Sequence, residues 1–172
     1  MDGGDIRNVL RRDLKTRHSF AGVFPRNGAL TRRSGLFVFN THWEHQPGEH
    51  WIAVSALPNR DVEYFDSYGF PPHIYPGVHA ALREHGRQLQ WNSTALQGLF
   101  STVCGDYCVL FLLLSARGWT LADFVTRMAE VPDPESRDHA VRSLVKRLYG
   151  ELVTYEPGDG ADAVHILGSG LL

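Results

Sequence analysis

Hydrophobic and polar positions change period several times along the chain. Residues 5–14 place Ile6, Val9, Leu10 and Leu14 on one face, which predicts an amphipathic helix starting at an acidic residue. Residues 20–33 carry Gly22, Pro25, Asn27 and Gly28 and read as loop. The apolar run 35–40 reads as a strand, and the polar 41–49, ending in Pro47-Gly48, as a second loop. Residues 51–57 and 62–66 read as a hairpin about 58–61. A turn follows at 67–72, then an amphipathic helix at 78–87 and a strand at 88–93. From Cys104 to Ala116 the chain is apolar nearly all the way round, so this helix belongs inside a core. Helical periodicity returns at 119–130 and 136–148, on either side of Val131-Pro-Asp-Pro134. The Gly- and Asp-rich 156–172 is expected to be a loosely ordered tail on one domain spanning 1–155.

Composition narrows the partners. The 172 residues are 43% hydrophobic and 21% charged, with a net charge of −2 that gives no global reason to bind nucleic acid. Basic residues cluster at Arg7, Arg11, Arg12, Lys15 and Arg17, at Arg32 and Arg33, and at Arg137, Arg142, Lys146 and Arg147; they read as solvated faces. The apolar run 109–114 is far shorter than the roughly 20 residues of a membrane span. Cys104 and Cys108, four apart on one helix, cannot pair without strain. With no secretory signal in view, reduced thiols in an intracellular setting are expected.

Cys104 falls in the first turn of its helix, where Ser101 or Thr102 can cap. The positive end of the helix dipole favours a thiolate there, and Gly105 leaves the sulfur open to approach. Pairing about the hairpin turn brings His50 and Asp66 to one rim of the sheet, as an imidazole and its orienting carboxylate. Gln97, seven residues before Cys104, enters from the preceding loop; its amide, with the Cys104 N–H, suits an oxyanion. Trp51 is placed to shield the His50–Asp66 pair from water. These are the parts of a thiol protease. Cys108 reads as core packing, His42 and His45 as loop polars, and Trp91 and Trp119 as buried or half-buried anchors.

Three stretches, Gly48-Glu-His-Trp-Ile-Ala53, Tyr64-Phe-Asp-Ser-Tyr-Gly-Phe70 and Gln97-Gly-Leu-Phe-Ser-Thr-Val-Cys-Gly-Asp-Tyr-Cys108, together resemble the adenovirus-type cysteine proteases, the adenain family. The likeness is strongest over residues 48–116. It implies an α+β fold, with a central mixed sheet packed on the nucleophile helix. It also implies a maturation endopeptidase, found in the virion and host nucleus, acting on viral capsid and core precursors after (Met/Ile/Leu)-x-Gly-x or (Met/Ile/Leu)-x-Gly-Gly. A monomer with an activating peptide and a DNA cofactor is implied as well, with no metal. Asp66 stands where adenoviral enzymes have Glu, as in related SUMO- and ubiquitin-like proteases of the same clan. Gly86 occupies the region of the cysteine that pairs with the activating peptide, so a covalent peptide link is not expected; DNA contact should be weak. Met1-Asp-Gly-Gly before Asp5 and Ile166-Leu-Gly-Ser before Gly170 resemble cleavage signals that an extended terminus would present.

Three other readings stay open. One is a protease for ubiquitin-like substrates. Another is a zinc site from His42, His45, His50, Cys104 and Cys108, whose spacings are loose for a tetrahedral ion. The third is an inactive binding module that keeps the catalytic residue types.

Overall fold

Alternate residues of the central strands enter two different cores, and this double burial explains their apolar runs. In β2 (Gly35–Asn40), Leu36 and Val38 face one core while Phe37 and Phe39 face the other. Ala53 and Phe65 join the first core; Ile52, Val54, Val62 and Tyr64 join the second. The computed structural model describes residues 1–28, 32–42 and 50–153. Five strands lie in sequence order: β1 (Phe20–Phe24), β2, β3 (Trp51–Ala56), β4 (Val62–Asp66) and β5 (Leu89–Trp91). The outer pairs are parallel and the inner two antiparallel, so the sheet is mixed and the fold α+β.

Helix α3 (Cys104–Ser115) packs on β3 and β4, and every residue in it is buried. Around it in the first core lie α1 (Gly3–Arg12), α4 (Leu121–Ala129) and α5 (Pro134–Tyr149). Phe65 meets Phe111 and Phe124 there, with ring centroids 5.2 and 5.1 Å away. The second core is closed by Val78 and Leu82 of α2 (Pro76–Arg83).

Several expectations need correction. Residues 20–24 form a strand and not loop: Gly22 sits at an irregularity in register, and pairing with β2 supplies the regularity the local sequence lacks. Helix α1 starts at Gly3 because Asp2 caps it and Asp5 returns the bond. It ends before Leu14, which is 70% exposed, because Asp13 turns its carboxylate to Thr16, Arg117 and Tyr149. The Gly4–Asp5 bond therefore lies in a helical turn, not in an extended chain fit for a protease groove. The 166–170 signal and the tail 156–172 lie outside the described residues. Trp91, on edge strand β5, is 48% exposed and so stands outside the core, covered over only about half its surface. Among the described residues no helix is long and apolar enough to cross a membrane.

Candidate active site

Hairpin register brings the first pair together. Ile52 pairs with Asp66, which puts His50 and Asp66 at the same rim. His50 Nε2 lies 3.0 Å from Asp66 Oδ1, and a carboxylate only accepts, so Nε2 carries the proton. Asp66 is fully buried. Its Oδ1 also accepts from the Tyr68 N–H at 2.8 Å, and its Oδ2 from the Tyr64 hydroxyl at 3.4 Å.

Cys104 arrives from the opposite layer as the first residue of α3, 7% exposed. The N-cap is Val103 with no side-chain cap bond, so neither Ser101 nor Thr102 caps the helix. Nor is the space over Gly105 open: a Cβ there would stand 3.1 Å from the Met1 side chain. Burial works against charge on the His50 ring. Its hydrogen bond to Asp66, its interaction with the Cys104 thiol and the charges of both prevail, raising its pKa from 6.5 to about 9. With Nε2 held by Asp66, Nδ1 is the ring atom left for the thiol. Nδ1 is buried and makes no hydrogen bond. Cys108 is fully buried, and that burial pushes its thiol pKa well up.

Gln97 is also buried, but its amide is engaged. Oε1 accepts from Ser67 Oγ at 2.7 Å, while Nε2 donates to the Ser101 carbonyl at 2.7 Å and the Tyr68 hydroxyl at 3.2 Å. The nitrogen thus faces the loop leading into Cys104, with both protons taken, instead of standing as a free donor. The ring lying against His50 is that of Tyr68, 4.9 Å away between centroids, whereas Trp51 reaches Gly3 of α1.

Composition did not point to the residues that hold this loop. Asn92 bonds the Asp66 backbone, and the Ser67 carbonyl accepts from the N–H groups of both Leu96 and Gln97. Gly69, at φ +75°, lets the turn close on residues 93–95, where a Cβ would come within 2.9 Å of backbone. Asp138 accepts from the Gly98 N–H at 3.0 Å and the Tyr107 hydroxyl at 2.9 Å. Arg137, expected on a solvated face, is buried and donates to the carbonyls of Leu96, Met128 and Val131. One signal was available: Arg137 precedes Ala140, Val141 and Leu144 at helical spacing, which puts it on the inward stripe.

A cavity of about 290 Å³ opens on the His50 ring, between Arg26, Thr41, His42, Tyr68, Phe70 and Tyr75. A larger one of about 670 Å³, near Arg60, Trp91 and Leu121, is lined by none of the four candidate residues. Among the described residues no three His, Cys, Asp or Glu side chains gather into a metal-holding group. His45 and the Gly48-Glu49 part of the first motif lie outside the described residues.

No protein-family model matches the sequence. The protease of porcine adenovirus A serotype 3 is 32% identical over 130 residues, covering 66% of this chain and 63% of that protein. The protease of human adenovirus A serotype 12 is 27% identical over 121 residues, covering 60% and 59%. That of bovine adenovirus C serotype 10 is 30% identical over 118 residues, covering 58% and 59%. The chain spans about three-fifths of the length of these curated relatives. Among solved structures, the central domain of an uncharacterized Legionella pneumophila protein is similar at TM-score 0.49 and 14% identity, over 88% of this chain and 97% of that one. A likeness that slight has no bearing on the site.

Proposed function

We propose that this chain, which is related to the adenovirus proteases, is a viral cysteine endopeptidase with Cys104 as nucleophile. His50 Nδ1 takes the thiol proton, and Asp66 holds the ring through Nε2. The thiolate attacks the substrate carbonyl, and the imidazolium gives its proton to the departing amine. The Gln97 amide, turning from its resting partners, and the Cys104 N–H stabilise the oxyanion. Water then releases the acyl group. The observation that carries this reading is the buried 3.0 Å bond between His50 Nε2 and Asp66 Oδ1, which leaves Nδ1 of the same ring buried and unbonded.

Its substrates are viral precursor polypeptides cut after (Met/Ile/Leu)-x-Gly-x or (Met/Ile/Leu)-x-Gly-Gly, in the virion or host nucleus. An activating peptide would bind without a disulfide, because Cys108 is sealed in α3. The test is hydrolysis of a Leu-x-Gly-Gly-x peptide beside a ubiquitin-like probe ending in Gly-Gly. Cys104→Ser and His50→Ala should each abolish peptide cleavage, and Gln97→Ala should slow it by about one to three decades. Normal turnover by the serine variant would overturn the assignment. Reaction with the ubiquitin-like probe alone would move the substrate to the related class.

A further inference from the structure

We propose that Tyr68 is a positioning residue that ties the imidazole of His50 to the amide of Gln97. Its ring lies against the first and its hydroxyl holds the second. The inference rests on the reading of this site as a thiol protease and adds a residue to it. Tyr68 follows Asp66 by two positions in the turn after β4, where a half-buried aromatic would ordinarily only cover the core edge.

Its contacts go further than cover. The Tyr68 and His50 rings lie 4.9 Å apart at 36°, so a π face is presented to the imidazole. The Tyr68 hydroxyl accepts from Gln97 Nε2 at 3.2 Å and donates to the Ser101 carbonyl at 3.3 Å. Its backbone N–H donates to Asp66 Oδ1. One residue thus touches three of the four candidate groups through three separate parts of itself. Burial, with the nearby Cys104, Asp138 and Asp66, raises the hydroxyl pKa and keeps it a donor. A cation on His50 gains from the ring face, and the Gln97 amide gains a second fixed partner.

Because the backbone bond survives any side-chain change, ring and hydroxyl can be separated. Tyr68→Phe keeps the ring; Tyr68→Leu removes both. Two readouts are used: the pH dependence of Cys104 alkylation by iodoacetamide, which needs no substrate, and kcat and KM on the Leu-x-Gly-Gly-x peptide. The titratable and charged groups around the His50 ring are Asp66, Cys104 and, across the cavity, Arg26, His42 and Tyr75; all are unchanged in these variants.

Tyr68→Leu should move the alkaline limb of the alkylation profile toward neutral pH by about half a unit. Tyr68→Phe should leave that limb in place and lower kcat about threefold to tenfold at constant KM. In a Gln97→Ala background Tyr68→Phe should cost nothing more, since its partner is gone. An unmoved limb in the leucine variant, or a phenylalanine effect that multiplies with Gln97→Ala, overturns the proposal. If the wild-type chain cleaves no peptide, the protease reading fails and the alkylation profiles alone decide whether Tyr68 positions His50.

Discussion

Asn92 grips the backbone of Asp66 from both sides: its Oδ1 accepts the Asp66 N–H at 3.0 Å and its Nδ2 donates to the Asp66 carbonyl at 2.7 Å. The same Nδ2 reaches the Thr94 carbonyl, so the carboxylate's placement is linked to the loop that runs on toward Gln97. Asn92→Ala strips three bonds, two of them buried, without touching any group proposed to react. We expect stability to fall by about 1–3 kcal/mol and peptidase activity by about two decades, since a small shift of Asp66 misaligns the ring. Urea titration with kcat on the folded variant checks both, and loss of stability without loss of kcat would contradict the link.

The two thiols should differ sharply in reactivity. Cys104 opens α3 beside His50, while Cys108 is fully buried with its pKa pushed well up. Iodoacetamide at neutral pH should modify Cys104 alone, and His50→Ala should slow that labelling at least tenfold. Peptide mapping by mass reads the sites, and equal labelling of the two cysteines would refute the assignment.

The sign of the pH dependence follows from the His50 ring. Its pKa is raised to about 9 in the fold against an ordinary 6.5, so the folded state holds that proton more tightly. The stability gained is complete below about 6.5 and is lost as pH rises through about 9. Thermal melts across this window should show that decline, and Asp66→Asn should flatten it. Asp13 behaves in the opposite sense. Burial opposes its charge, but bonds from Arg117, Thr16 and Tyr149 lower its pKa to about 2. Its contribution is present above 3.8 and is lost as pH falls through about 2.

Arg137 and Asp138 hold the loop bearing Gln97 from the start of α5. Arg137→Ala leaves the buried carbonyls of Leu96 and Val131 without this donor and should cost about 3 kcal/mol. Asp138→Asn is isosteric and should spare most of the stability while lowering kcat through Gly98. A kcat equal to wild type in a folded Asp138→Asn chain would show that Gly98 is anchored without it.

The short turn at 58–61 between 51–57 and 62–66 was enough to bring His50 and Asp66 to one rim, because pairing across a hairpin is a local property. The apolar run after Cys104 likewise determined a buried helix, since no exposed helix can be apolar all round. Tertiary structure decided what has distant partners. Residues 20–24 became a strand because β2 lay beside them, and Arg137 turned inward because carbonyls of residues 96, 128 and 131 waited there. The Gln97 amide found Ser67, Tyr68 and Ser101 and not an empty oxyanion site. Periodicity records which face of an element turns inward, as it did for Arg137, but it does not record which carbonyls, hydroxyls or amides the neighbouring loops present to that face.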